Sequence, residues 1–417
     1  MNKNSREILS NGLTKLLSPA KLNGITLPNR VIKAATFEGM LDDNHNITDQ
    51  CIEFHENMAK GGVGMTTLAY CAPEPDGRMI DSYLYIREEI KPQLQKLAEK
   101  VHQQGVFLSG QIAHCGGFSR NKKLQRKRPV APSTQFLMTG LPYGIYFSQK
   151  MDRKRMDEVT DSFVQTAKIM KESGFDALEI HFGHGSLLSQ FISPLTNKRK
   201  DEYGGSIENR MRYPLEVLHA IRQEVGSNFP ILAKISLFDD VKGGISLEDG
   251  IKSAELLDKA GIDGIILSAG TSSQNPMLLF HGDSILPGLL TYEKSPLLRL
   301  GMKMISKRFF RNYPYKELYL FEAAKKVREV VHCNLIYIGG AMTPESLAIV
   351  MDAGFDFVQS GRPLIRDSQL VHHLKEYGMN YVNGCDACNQ CAPMMSDPNG
   401  IRCVKEKWEA PHSSTAS

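Results

Sequence analysis

Eight short runs of apolar, β-prone residues recur along the chain, at 31–35, 63–69, 106–111, 177–181, 231–236, 264–268, 335–339 and 357–360. Between them lie longer stretches with helical spacing of apolar residues, at 49–60, 91–104, 157–173, 208–225, 247–260, 318–331 and 344–352. Some of these stop on glycine, as in Glu172-Ser-Gly174 and Lys259-Ala-Gly261, because a residue without Cβ can take the left-handed turn that closes a helix. Strands apolar on both faces, each followed by a helix, belong to a parallel sheet covered on both sides. Eight such units close into an α/β fold of the (β/α)8 TIM-barrel type. An open doubly wound sheet is the competitor. It would carry a glycine-rich fingerprint after its first strand, and Ala34-Ala-Thr-Phe-Glu-Gly39 is not one.

The connections after the third and sixth strands, 112–156 and 271–317, are too long for plain loops. In a barrel such excursions rise from the C-terminal face and shape the active site. After Gly384 the pattern becomes irregular and cysteine-rich, ending in a polar stretch, 411–417, expected to be mobile. The chain thus divides into a barrel over 15–380 and a cysteine-rich tail over 381–417. A formal net charge of only +4 on 417 residues predicts no extended nucleic-acid surface. The cluster Asn121-Lys-Lys-Leu-Gln-Arg-Lys-Arg128 has no interleaved aromatic residue, which favours a solvated loop over a nucleic-acid contact. No run approaches the roughly 18 apolar residues a membrane helix needs, so no membrane partner is expected. The opening Met1-Asn-Lys-Asn-Ser-Arg6 leads into no apolar core of a signal peptide, which suggests a cytoplasmic address.

Chemistry in a barrel belongs at the C-terminal ends of its strands. There the sequence puts an amide, Gln111, a cation, Lys234, and a pair of imidazoles in His181-Phe-Gly-His184. Gly339-Gly340 and Gly361-Arg362 follow the last two strands, where backbone N–H groups backed by a cation suit a phosphate. Each has a plain alternative: a tight turn, an ion pair, a satisfied core histidine, or half of a zinc site.

Longer blocks are more specific. Leu17-Ser-Pro-Ala-Lys-Leu-Asn-Gly-Ile-Thr-Leu-Pro-Asn-Arg-Val-Ile-Lys33, Gln111-Ile-Ala-His-Cys-Gly116, His181-Phe-Gly-His-Gly-Ser-Leu-Leu-Ser-Gln-Phe-Ile-Ser-Pro194 and Asn197-Lys-Arg-Lys-Asp-Glu-Tyr-Gly-Gly-Ser-Ile-Glu-Asn-Arg-Met-Arg212 stand in the chain. Together they resemble the Old Yellow Enzyme family of FMN-dependent oxidoreductases, over roughly residues 15–370. The resemblance implies that Gln111 and Lys234 meet the pyrimidine edge of the flavin, with lysine where the family commonly has arginine. It implies that Ala35, Thr36 and Ala69 line the ring, and that Gly340, Gly361 and Arg362 hold the phosphate. His181 and His184 would grip the carbonyl oxygen of an α,β-unsaturated acceptor, so that hydride taken from NAD(P)H passes from flavin N5 to the β-carbon.

Two positions depart from the family's pattern. Where many members carry a tyrosine that protonates the α-carbon, this chain has Ser186. An aliphatic hydroxyl is a weaker and shorter acid, so Tyr70, another loop tyrosine or water takes that role, or the reaction is not alkene reduction. By register from Asn29-Arg30, the position near flavin O4 falls on Phe37, with Thr36 one step early.

The tail reads Cys385-x2-Cys388-x2-Cys391-x11-Cys403. Four thiolates at such spacing can ligate a [4Fe–4S] cluster or a zinc ion, and the remaining alternative is cysteines that carry no metal. The tail is similar to the subgroup containing 2,4-dienoyl-CoA reductase and trimethylamine dehydrogenase, with one residue fewer between the second and third cysteines. Only 14 residues follow Cys403, so a cluster here would be structural or served by a separate electron-donor protein. The leading expectation is therefore an FMN-dependent oxidoreductase with a small-molecule acceptor. The alternatives are a flavin-loaded electron-transfer or ligand-binding barrel dependent on a redox partner, and a phosphate-binding lyase or isomerase. An oligomer is left open.

Overall fold

The computed structural model describes residues 3–397 and 399–405; the end of the predicted tail, with 411–417, lies outside the described residues. Eight parallel strands form one closed barrel in sequence order. They are β1 (Val31–Lys33), β2 (Met65–Cys71), β3 (Phe107–Ile112), β4 (Ala177–Phe182), β5 (Ile231–Ser236), β6 (Gly264–Ser268), β7 (Asn334–Tyr337) and β8 (Phe357–Ser360). The ring closes where Ser360 of β8 pairs with Lys33 of β1. All eight expected strands are present. The seventh ends at Tyr337 rather than 339 because Gly339 and Gly340 take positive φ, 134° and 81°, and turn the chain out of the sheet.

The helices around the barrel are α1 (Asp49–Lys60), α2 (Lys91–His102), α3 (Arg153–Glu172), α4 (Ile207–Val225), α5 (Leu247–Lys259), α6 (Phe321–Arg328), α7 (Pro344–Asp352) and α8 (Leu370–Tyr377). Side-chain caps set several of their starts. Asp152 accepts from the Arg155 N–H, so α3 begins four residues before the apolar spacing suggests. Ser206, Ser246 and Thr343 do the same for α4, α5 and α7. Conversely, α6 is shorter than its apolar pattern, because Leu318 leaves helical geometry (φ 56°) and donates its N–H to the Gly340 carbonyl.

Inside the barrel, period-2 alternation aims every second side chain at the axis. Toward the strand N-termini these are apolar: Ile32, Met65, Ala177, Leu232, Ile266, Ile336 and Phe357 form one buried cluster. A hairpin of Ala20–Leu22 and Ile25–Leu27 adds Leu22 and Leu27 to that cluster and closes this end. Two residues further along the same strands the inward positions turn polar: Glu179 follows Ala177, Lys234 follows Leu232 and Gln359 follows Phe357. A dry plug at one end and a polar layer at the other leave chemistry only the C-terminal mouth. Among the described residues no helix is long and apolar enough to cross a membrane.

Candidate active site

The polar layer converges on one carboxylate. Glu179, fully buried, accepts from Gln111 Nε2 at 2.6 Å and from Lys234 Nζ at 2.9 Å on Oε1, and from Gln359 Nε2 at 2.7 Å on Oε2. Burial pushes the Glu179 carboxyl up, but the Lys234 ammonium and the three hydrogen bonds outweigh it and hold the group below its usual range. An ion pair with every bond satisfied is a form in which such charges persist in a dry interior. Gln111 and Lys234, read from the sequence as separate flavin contacts, are thus one bonded unit.

His181 follows on the same face of β4, two residues beyond Glu179, and pairs in register with Lys234. The rings of His181 and His184 meet edge to face, with centroids 4.9 Å apart. The Gly183 N–H donates to His181 Nδ1 (3.3 Å), which leaves that ring's proton on Nε2. His184 takes a left-handed conformation (φ 55°), fixed where its N–H donates to Ser236 Oγ at 2.9 Å; Ser236 donates onward to the Gly270 carbonyl. His184 Nε2 is 2.7 Å from Ser268 Oγ. Burial and the Lys234 charge push His181 down to about 4, against the opposing pull of Glu179. Burial, His181 and Lys234 push His184 well below the ordinary imidazole range. Both rings are therefore neutral near pH 7, able to donate one N–H each without carrying charge.

The structure does not present the Ser186 hydroxyl to this pair. Its Oγ donates to the His181 carbonyl at 2.7 Å, and the residue is buried at the start of the short helix Leu187–Ile192. Tyr70 packs edge to face on Tyr83, whose ring stacks on Phe37 at 4.0 Å. Burial, reinforced by Cys115 and Tyr83, pushes the Tyr70 phenol well above its usual range and keeps it protonated. Phe37 therefore belongs to an aromatic stack, while Thr36 Oγ1 lies 3.4 Å from Glu38 Oε1. Glu38 is itself clamped, pairing with buried Lys33 at 2.5 Å and accepting from the Ala69 N–H at 3.1 Å. That clamp ties the 35–37 turn to the end of β2, bringing Ala35, Thr36 and Ala69 to one side of the mouth.

The two glycine turns differ. A Cβ on Gly340 would lie 2.8 Å from Tyr319 Cδ1 and 2.9 Å from the Lys316 carbonyl, so the chain's own packing demands glycine there. At Gly361 φ is −109° and a Cβ would meet nothing nearer than 3.7 Å, at Ala34 and Thr36. Internal packing does not ask for glycine at 361, whereas a group resting on the turn would. Beside it Ser360 Oγ is buried without a hydrogen-bond partner, and the described chain supplies no backbone acceptor to the Gly361 or Arg362 N–H. These unpaired donors and the open cradle fit a phosphate-bearing cofactor such as FMN. Arg362 also reaches the other way, donating from Nη1 to the His281 carbonyl (2.8 Å) and to Asn389 Oδ1 (2.5 Å).

Asn389 belongs to the tail. Cys385, Cys388, Cys391 and Cys403 are all free thiols and line one small pocket together with Arg362 and Ile365. Among the described residues no three His, Cys, Asp or Glu side chains converge as the ligands of a single ion would. Burial pushes the Cys391 thiol up to about 12, with Arg362 opposing.

Glu179 and Gln359, which knit the polar layer together, were not singled out from the sequence. Their signal was a charged or amide residue at an inward position of an otherwise apolar strand, in Ala177-Leu-Glu-Ile-His181 and Phe357-Val-Gln-Ser360. Ser236 and Ser268 stand at strand ends, where functional groups are expected, but their bonds to His184 depend on how neighbouring strands align.

Compared with known proteins, residues 15–273 match the model of the NADH:flavin oxidoreductase / NADH oxidase family. The chain is 35% identical over 392 residues to a 4,4'-dithiodibutanoate disulfide reductase of Rhodococcus erythropolis, covering 93% of this chain and 94% of that protein. It is 29% identical over 379 residues to an NADH oxidase of Thermoanaerobacter brockii, covering 90% of this chain but 52% of that protein. Among solved structures, histamine dehydrogenase from Rhizobium sp. 4-9 superposes with a TM-score of 0.78 at 21% identity, over 94% of this chain and 52% of that one. That likeness is one of fold. The chain spans nearly all of the first relative and about half of the other two.

Proposed function

Because the chain belongs to the NADH:flavin oxidoreductase / NADH oxidase family, we propose that it binds FMN at the barrel mouth and uses NAD(P)H to reduce a small acceptor held by His181 and His184. Bound FMN would supply the hydride transfer that no side chain here provides. Gln111 and Lys234, held by Glu179, would position its polar edge, and Gly361, Gly340 and Arg362 its phosphate. The observation that carries the reading is the neutral imidazole pair beside that layer. Two neutral N–H donors meeting one oxygen would polarise a carbonyl without the desolvation cost of a cation. An α,β-unsaturated carbonyl compound would gain hydride at the β-carbon and a proton at the α-carbon, NAD(P)H leaving as NAD(P)+.

A second reading rests on Ser186. With its hydroxyl committed to the His181 carbonyl, the usual route for protonating an α-carbon is missing. An organic disulfide needs no carbon protonation: one hydride and one proton convert RSSR into two thiols. The Rhodococcus relative is named for such a substrate.

For the tail we infer an iron–sulfur cluster. A single zinc would draw its thiolates to about 2.3 Å from one centre, whereas a four-iron cluster keeps its cysteines farther apart around a shared pocket.

The test is anaerobic reduction by NADH or NADPH, followed by reoxidation with an enone or with 4,4'-dithiodibutanoate. The faster acceptor decides between the two readings. His181→Ala should cut that turnover by about 10²-fold or more while flavin stays bound; a protein that takes up no flavin, or turns over unchanged, removes the proposal.

A further inference from the structure

The excursion after β6 contains a segment, 294–316, with seven lysines and arginines and no acid. Since the whole chain is formally only +4, everything outside this segment is net negative. Its centre is the helix Pro296–Phe309, in which no described residue is fully buried. Leu297, Leu300 and Met304 stand at i, i+3 and i+7, on one stripe, and are 77%, 56% and 78% exposed. Leu298, Met302 and Phe309 are partly covered on another side. The helix therefore has an apolar face to spare. Lys303 and Lys307 flank the exposed stripe, Arg299 completes the cationic side, and none of the three makes an ion pair among the described residues.

This is a fixed feature rather than a frayed one. Ser295 Oγ accepts from the Leu298 N–H and caps the start. Just past the end, Tyr313 is bonded to Asn275 and Asp240, and Arg311 to the Asp240 carbonyl. The C-terminal flank is tied to the barrel loops through Asp240 and Asn275 while the stripe stays in water.

We propose that the Pro296–Phe309 helix docks the protein onto an anionic lipid surface, with Leu297, Leu300 and Met304 among the acyl chains and Arg299, Lys303 and Lys307 at headgroup phosphates. Charge decides between occupants. A second copy meeting the face by two-fold symmetry would bring Arg299, Lys303 and Lys307 against the same three cations. A soluble nucleotide would use the cations but leave the apolar stripe wet. Docking of this kind needs no spanning run, so it is compatible with the absence of a spanning helix among the described residues.

The test is flotation of the full chain, as purified, with vesicles of phosphatidylcholine alone or mixed with phosphatidylglycerol. Binding is expected only to the anionic vesicles and should weaken as salt shortens the screening length. Met304→Glu and the double variant Lys303→Glu/Lys307→Glu should each lower partitioning at least tenfold, with flavin content and NAD(P)H oxidation unchanged. No binding by the unsubstituted protein, equal binding to neutral vesicles, or undiminished binding by both variants overturns the proposal. So does a dimer that Met304→Glu converts to monomer without any vesicle binding, which would make the face a contact between copies.

Discussion

The polar layer of the barrel mouth and the cysteine tail, whose pocket Arg362 lines, are built on opposite plans. Glu179, Lys234, Gln111 and Gln359 stand on four strands of a closed sheet, at most 5% exposed, and bond to one another. Their geometry is complete before any ligand arrives. The cysteines lie on turns, with Ala387 and Asn389 at positive φ, and have no bonds among their thiols. They share a pocket without converging on a point. A site on strands is preorganised by the fold, whereas a site on a tail waits for the group that will organise it.

Substitutions should separate the two plans. The largest effect is expected in the tail: Cys391→Ala should abolish bound iron, measured by metal analysis of anaerobically purified protein, and leave flavin content at its unsubstituted level. Loss of both together would break the contrast. In the barrel, Glu179→Ala strands Lys234 as a buried unpaired cation, a change that costs about 3–5 kcal/mol. Urea unfolding should show it together with weaker flavin retention; a loss below about 1 kcal/mol would mean water reaches the layer.

A smaller effect lies in pH. Unfolded, His181 takes up a proton near the ordinary imidazole pKa of about 6.5, but in the fold not until about 4. Between those values the unfolded chain binds more protons, so stability rises with pH and is lost as pH falls through the window. Each pH unit there should change the folding equilibrium by up to about tenfold for this group, and His181→Gln should flatten the slope. The least effect is expected of Ser186→Ala. It removes one hydrogen bond to the His181 carbonyl, worth about 1 kcal/mol, and should leave turnover within about twofold if the hydroxyl gives no proton to substrate. A larger loss of turnover would return Ser186 to the chemistry.

Much of this was legible along the chain. The eight strands show because parallel strands are apolar on both faces, and the helices because their caps and glycine stops act within a few residues. The imidazole pair could be found because both residues lie on one turn. Phe37 and Thr36 could not be resolved by counting. Their orientation follows from the Tyr83 stack and the Glu38 clamp, contacts with residues distant in sequence.

Local chemistry thus wrote the order of elements, the barrel and the residue types at its rim into the sequence, since period, capping and turn preference act over a few residues. The tertiary structure alone decided that four separate strands share Glu179, that Ser186 turns away from the imidazoles, and that Leu297, Leu300 and Met304 are left exposed. Those outcomes depend on register between strands and on which face of a helix finds a neighbour. Such facts arise between segments and have no counterpart within any one of them.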